Sequence, residues 1–454
     1  MISEIEFQSF FNKDFWKALR KLVGILDIPS AKTDRNALVT SVYQDLKSNA
    51  FQPSPLAGEL ISNKGHGIIR KIPVLAIRDY IVYFYCVKQL EAILSANRVN
   101  NTFGGWSLSS PRRTEEAQEG DIESGNYGAL AFNPFAWVKE FGEFNSILFS
   151  AIDEWSYPWV IQLDIANFYD SIRLNILKSQ MTVNANQDEL EVIEQLFHFL
   201  SRLKLTASDL LPNTVGLPPD ALADCSRLLA NFYLTEYDAY AKTVCDANNA
   251  IYLRYADDQI ILARTPEEYE KILYLLSDYL YGLGLKINQK KVVVSASGSF
   301  LKSRSRNQHY AVSNRSDPGF ESRVDEFIEY AVGIRNGSEL WNGKNPLLRR
   351  ALNLLSHTSN MATQWKLLKD VSTSDFLRQA SEGELKKVYE LALDFGEGDE
   401  FIEKLMLLSD TLIHNLFHYA VLRFLGGIQR PDLVKQVSNR IEHLNWQAGG
   451  VKIE

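Results

Sequence analysis

Residues 251–263 read Ile251-Tyr252-Leu253-Arg254-Tyr255-Ala256-Asp257-Asp258-Gln259-Ile260-Ile261-Leu262-Ala263. Two apolar runs, Ile251–Leu253 and Ile260–Leu262, flank a short polar centre that holds two adjacent carboxylates. This pattern predicts a β-hairpin with Asp257 and Asp258 at its tip. Like charges side by side repel unless a cation neutralises them, and oxygen-only donors favour Mg²⁺. An isolated Asp-Asp pair is more often a solvated acidic turn. What points to a site here is the apolar packing on both sides, together with a second carboxylate placed in the same way upstream.

That second carboxylate is Asp164, which ends the apolar run Val160-Ile161-Gln162-Leu163. A turn carrying Phe168 and Tyr169 follows, then a helix. Two core strands that each end in a carboxylate supply what two-metal phosphoryl transfer needs. Asp164 and Asp257 would bridge two cations about 3.5–4 Å apart, with Asp258 orienting the site or completing its charge. One cation would acidify a primer hydroxyl and the other would offset charge on a pyrophosphate leaving group.

Composition bounds the rest. At 454 residues the chain has room for two or three domains. No apolar run approaches the ~18 residues of a membrane span, and the acidic start Met-Ile-Ser-Glu-Ile-Glu-Phe lacks the basic head of a signal peptide. Cys86, Cys225 and Cys245 include no close pair and fit neither a disulfide framework nor a zinc cluster. The expectation is a cytoplasmic protein with no membrane association. A net charge of −8 argues against a simple basic nucleic-acid coat but not against an enzyme with a local basic channel.

Outward from the hairpin, the spacing predicts helices over much of residues 1–60 and over 76–97, the latter leading into the glycine-bearing loop Asn100–Trp106. Between them, Lys64-Gly65-His66-Gly67 and Ile68-Ile69-Arg70-Lys71-Ile72-Pro73 read as a second hairpin. Its basic residues are either triphosphate contacts or a solvated turn. A helix is expected within 130–155, another over 188–205, and one from about 220 to 244 after the break Gly216-Leu217-Pro218-Pro219. Thr265-Pro266-Glu267-Glu268 is a capping box that starts a helix, and Leu285–Val294 reads as a strand. Strand, helices, strand pair, helix, strand is the order of a split βαβ unit. Residues 295–318 read as a linker or basic loop. Residues 319–446 read as successive helices, with Leu405, Leu408, Leu412, Leu416 and Tyr419 as a stripe requiring burial.

The motifs resemble those of the reverse transcriptases. Tyr255-Ala256-Asp257-Asp258 resembles their YxDD signature, and Leu163-Asp164 through Asp170-Ser171-Ile172 their first carboxylate motif. Gly216-Leu217-Pro218 with Leu229-Ala230-Asn231-Phe232-Tyr233-Leu234 resembles their template-side helix motif. Gly284-Leu285 through Asn288-Gln289-Lys290-Lys291 resembles their lysine-bearing motif, Arg70-Lys71-Ile72-Pro73 their fingers strand, and Asn101–Gly105 the loop after it. These fall in the family's order over roughly residues 64–295.

The resemblance implies an α+β fold: right-hand polymerase fingers and a split-βαβ palm followed by an all-α C-terminal domain. N-terminal helices and fingers would occupy 1–154, the palm 155–298, and a linker with a helical, thumb-like domain 299–454. It implies metal binding and catalysis by Asp164, Asp257 and Asp258, with two Mg²⁺ ions or Mn²⁺ in their place. Tyr169 falls at the position of the ring that excludes a ribose 2′-hydroxyl, while Phe168 reads as core. Arg70, and less directly Lys71 or Lys64, would contact the triphosphate, and Lys291 the leaving pyrophosphate, with Lys290 as the neighbour one register away.

Where the family has L-P-Q-G, this chain has Leu217-Pro218-Pro219-Asp220, in a loop that normally lies against template and incoming base. Templated copying is therefore open. A compact palm followed by helices is similar to bacterial phage-defence (abortive-infection) reverse transcriptases. The implied partners are dNTPs, an RNA template or noncoding RNA, the DNA product, and further copies of the chain. A retron enzyme is the alternative, although its N-A-x-x-H element is not found. A different class, a palm that has lost turnover and serves as a scaffold, is disfavoured by the joint presence of Asp164, Asp257, Asp258, Tyr169 and Lys291.

Overall fold

The computed structural model describes residues 2–19, 22, 25–63, 69–108, 136–155, 157–183, 185–207, 216–218, 225–334, 343–412 and 414–449. The chain divides into two compact units. One comprises Met1–Glu59 with Ile72–Ser297, the other Leu60–Lys71 with Gly298–Glu454.

The first unit is built on a five-stranded sheet. Strands β1 (Gly58–Asn63) and β2 (Ile69–Val74) pair separately as a two-stranded sheet. The main sheet takes β3 (Thr102–Phe103), β4 (Trp159–Asp164), β5 (Ile251–Tyr255), β6 (Asp258–Ala263) and β7 (Val293–Ala296) in the order β3-β5-β6-β4-β7. Strands β5 and β6 form the expected hairpin, antiparallel with Tyr255 opposite Asp258. The two-residue turn is closed by Ala256 at φ 54°, left-handed backbone that a β-carbon resists. β4 lies antiparallel to both β6 and β7, and β3 runs parallel to β5.

The sheet forms because its strands are apolar on both faces. Val160, Ile161, Leu253, Ile261 and Leu262 are completely buried, and each such side chain contributes about 1.5–3 kcal/mol over leaving it in water. The helix Pro266–Gly282 begins at the predicted capping box: Glu268 N–H donates to the Thr265 hydroxyl, and Thr265 N–H to the Glu268 carboxylate. Its Ile272, Leu276 and Leu280 are buried.

Three expectations are corrected in this region. The helix predicted to about residue 244 is two helices, Cys225–Tyr233 and Thr235–Ala247. At the junction Leu234 N–H bonds back only three residues, to Asn231 O at 3.1 Å, while Leu234 O accepts from Asp238 N–H at 2.8 Å to begin the next helix. The predicted strand over 285–294 is mostly irregular. Ile287 bridges Ile165, Gln289–Lys291 forms a tight 3₁₀ turn, and only β7 is regular strand. The polar stretch 295–318 is not an open linker but carries helices Ser297–Ser303 and Arg306–Ala311. Phe300 and Val312 are buried there, so a few apolar anchors organise a segment whose other side chains suit water.

Among its described residues the second unit is helical apart from its share of the β1–β2 sheet. Its longer helices are Phe320–Gly333, Asn345–Leu354, Met361–Val371, Glu382–Asp394, Gly398–Thr411, Asn415–Gly427 and Pro431–Gly449. Ser381 and Glu384 form a second capping box. Ile61 N–H donates to Asn415 Oδ1 at 2.6 Å, tying the hairpin to this unit's helices. The apolar stripe is interrupted: Leu405, Leu408 and Tyr419 are buried, but Leu416 is 38% exposed. The cause is the extended backbone at Leu412 (φ −85°, ψ 145°), which ends one helix and resets the phase of the next.

Candidate active site

The register of β4 against β6 sets Asp164 directly opposite Asp258. Because side chains alternate along a strand, these two carboxylates share a face of the sheet, and Asp257 sits beside them on the turn. The upstream strand and the hairpin thus bring together the three acids that the sequence singled out.

The segment preceding β7 supplies the counter-charge. Ala166 N–H donates to Lys286 O and Asn288 N–H to Asp164 O, both at 2.8 Å, so this segment runs alongside the end of β4. In consequence Asn288 Nδ2 reaches Asp164 Oδ2 at 3.1 Å and Lys291 Nζ reaches Asp164 Oδ1 at 2.8 Å. Partial burial works against the Lys291 ammonium, but its hydrogen bond to Asp164 and the charges of Asp164, Asp257 and Asp258 outweigh it and raise its pKa. Of the two adjacent lysines, Lys291 is the one bonded to Asp164.

Tyr169 follows Asp164 on the short helix Phe168–Ser171, which opens from Asn167 in left-handed backbone at φ 48°. Phe168 is 4% exposed and belongs to the core, whereas Tyr169 is half-buried. Leu217 N–H donates to Tyr169 O at 2.9 Å, so the segment before Pro218 packs on the backbone of Tyr169. Arg70 and Lys71 lie on β2 and belong to the second unit, while the three acids belong to the first; Lys64 lies outside the described residues.

Near the tip, Glu140 and the rings of Phe141 and Phe144 had no sequence signal. Gly104 abuts the turn so closely that a β-carbon on it would stand 2.8 Å from Ala256 N. Gly104 and Gly105 N–H both donate to Glu140 Oε2, at 2.8 and 2.7 Å, and Arg98 pairs with the other Glu140 oxygen. Phe141 and Phe144 of the same helix pack on the Tyr255 ring at 5.4 and 5.6 Å. The glycines of Asn100–Trp106 marked a close approach, but Glu140 lies too far along the chain for spacing to reveal it.

The donor set suits a hard divalent cation. Among the described residues no three His, Cys, Asp or Glu side chains close into a metal cage. Mg²⁺ seldom requires one, since it keeps several waters and binds through one or two carboxylates plus substrate phosphates. Asp164 and Asp258, facing each other across a strand pair with Asp257 alongside, offer such an open set.

Residues 129–310, which contain these carboxylates, match the family model described as reverse transcriptase (RNA-dependent DNA polymerase). Over this segment the chain is similar to that family. Its enzymatic class is RNA-directed DNA polymerase. No curated protein matches the sequence. Among solved structures, the chain is similar to telomerase from Candida tropicalis in complex with a TWJ fragment of telomeric RNA. That match has 14% identity over 87% of this chain and 68% of the other, with a TM-score of 0.35. Apo telomerase from Candida tropicalis matches at 11% identity over 90% and 73%, with a TM-score of 0.33. Telomerase from Candida albicans with a TWJ fragment matches at 11% identity over 87% and 70%, with a TM-score of 0.32. Among the described residues no helix is long and apolar enough to cross a membrane.

Proposed function

We propose that this chain adds deoxynucleotides to a 3′ hydroxyl, or to a protein hydroxyl, at Asp164, Asp257 and Asp258. The observation that carries the reading is the cross-strand register of Asp164 with Asp258, which gathers acids from two distant segments onto one rigid sheet face. Bound divalent cations would acidify the attacking hydroxyl and offset charge developing on the pyrophosphate. The chain's own residues do the rest. Asp164, Asp257 and Asp258 would hold the ions. Lys291, already charged and aimed at Asp164, is placed to meet negative charge on the leaving phosphates. The half-buried Tyr169 limits the room beside the sugar, selecting deoxyribose by volume.

The 1–154, 155–298 and 299–454 division into fingers, palm and thumb-like helices belongs to the same reading, as do self-association and a cytoplasmic setting. A role in antiphage defence is supported by the helical region that follows a compact palm, and Pro219-Asp220 in place of the family's Gln-Gly leaves template-independent synthesis open. The deciding experiment is dNTP incorporation by purified chain with Mg²⁺, with and without added RNA template, followed by sequencing of any product. Incorporation that survives Asp257→Ala/Asp258→Ala would refute the reading, and would leave a scaffold as the better account.

A further inference from the structure

Beneath the hairpin tip lies a charged pair that the proposed chemistry does not use. Strand alternation puts Asp164 and Asp258 on one sheet face and Tyr252, Arg254 and Gln259 on the other, where they meet the helices Cys225–Tyr233 and Thr235–Ala247. Arg254 and Asp238 are both completely buried. Arg254 Nε and Nη2 donate to the two Asp238 oxygens at 2.8 and 2.5 Å, and the Tyr252 hydroxyl donates to Asp238 Oδ1 at 2.8 Å. Arg254 Nη1 donates in addition to Asn231 Oδ1 and to the carbonyl of Ala256, each at 2.7 Å. Asn231 Nδ2 passes the chain on to Gly104 O at 3.0 Å. Burial lifts the Asp238 carboxyl above its ordinary range; burial works against the Arg254 guanidinium, but the charge and hydrogen bonds of Asp238 lead the contributions that outweigh it and raise its pKa. The guanidinium keeps its charge, since it does not deprotonate in proteins.

Stability alone is a poor reason for this arrangement. Buried ion pairs are often replaced by apolar residues of similar volume without loss, and sometimes with gain. What apolar residues could not supply is the pair of bonds from Nη1. One fixes the carbonyl of Ala256, the residue in left-handed backbone immediately before Asp257. The other holds Asn231, and through it Gly104, against the turn.

We infer that Arg254, anchored by Asp238, is a positioning residue that fixes the Ala256–Asp257 peptide, so that the turn presents its carboxylates toward Asp164 before any cation binds. The inference rests on the reading of Asp164, Asp257 and Asp258 as cation ligands, and gives that site a preorganising layer on the opposite face of the sheet. Lysine at 254 keeps the charge opposite Asp238 but cannot span Asp238, Asn231 and the Ala256 carbonyl together, because it lacks the planar fork.

The test uses the full chain and Mn²⁺ as probe, its binding followed by electron paramagnetic resonance without nucleotide, alongside circular dichroism and incorporation kinetics. Arg254→Lys should fold, bind Mn²⁺ about tenfold or more weakly, and lose kcat while KM for dNTP changes little. The paired replacement Arg254→Met with Asp238→Leu should fold as well as the natural chain and show the same weakened Mn²⁺ binding. A folded variant of either kind that binds Mn²⁺ as the natural chain does would overturn the inference. So would unfolding of both, which would give the pair a purely structural role. Asp257→Asn separates the two layers of the argument. If it leaves Mn²⁺ binding unchanged, the cation site itself is wrong. If it weakens binding while Arg254→Lys does not, the positioning role alone fails.

Discussion

Gly216 lies so close to the backbone of Tyr169 that a β-carbon on it would stand 1.8 Å from the Tyr169 carbonyl oxygen. That oxygen already accepts the Leu217 N–H. The proposed sugar-sensing ring is therefore held from behind by a segment that tolerates no side chain at 216. Tyr169→Val is expected to raise ribonucleotide use relative to dNTP by roughly 10–200-fold, the range in which simple pocket volume discriminates. Gly216→Ala, which must displace the same backbone, should shift the ratio in the same direction. Competition between labelled rNTP and dNTP measures both. Unchanged ratios in a folded Tyr169→Val chain would make Tyr169 an ordinary packing residue.

Replacing Asp257 and Asp258 with alanine should lower incorporation by about a thousandfold or more, since the site loses its charge complement. The melting temperature should stay within a few degrees, because neighbouring like charges repel and their removal relieves the fold. A large drop in melting temperature would instead mark the pair as structural.

The raised pKa of Lys291 comes from carboxylates, above all Asp164, working against partial burial. Removing the Asp164 charge should therefore bring it down. Isotope-edited NMR of the lysine ε position in the natural chain and in Asp164→Asn reads this directly. Titration that stays put in the variant would mean that another group holds the ammonium.

Asp79, in the helix Ile77–Gln89, carries a pH signature of stability. Its carboxyl is completely buried, accepts the Ser54 N–H, and is pushed by burial up to about 7. An unfolded aspartate titrates near 3.9, so between about pH 4 and 7 the folded chain binds the extra proton. The contribution is full below about pH 4 and is lost as the pH rises through 7. Asp79→Asn should be the more stable chain at pH 8 by roughly 1–3 kcal/mol, with little difference at pH 4.5. Thermal unfolding of both chains at the two pH values checks the sign; a difference larger at low pH would reverse the assignment.

How far the sequence discloses this site depends on how local each signal is. The hairpin is legible because Ile251–Leu253 and Ile260–Leu262 are contiguous apolar runs around a two-residue turn, and Thr265 with Glu268 marks a helix start within four residues. Lys291 is legible only through its motif, since its partner Asp164 is remote in the chain. Arg254 and Asp238 are not legible at all. A charge inside an apolar strand looks like an interruption until its partner on a neighbouring helix is known. The break at Leu234 lacks the glycine or proline that announces most helix ends. The helices after Ser297 are hidden by serine and arginine content, because propensity is a weaker force than the burial of Phe300. The helix Met361–Val371 is marked locally: Asn360 accepts from Ala362 and Thr363 N–H ahead of the apolar Leu367, Leu368 and Val371.

The central position of β4 also governs when this protein can fold. Both of its partners, β6 and β7, lie later in the chain, and β6 is complete only at Ala263, about a hundred residues beyond Asp164. At roughly 5–20 residues per second, a ribosome leaves Val160, Ile161 and Leu163 without strand partners for about 5–20 s. Long-range strand pairing is slow to form and exposed to aggregation while it waits. The arrangement that gathers remote acids onto one sheet face thus makes the nascent chain dependent on shelter during synthesis, and its yield in a cell should respond to translation rate and chaperone supply more than its final stability implies.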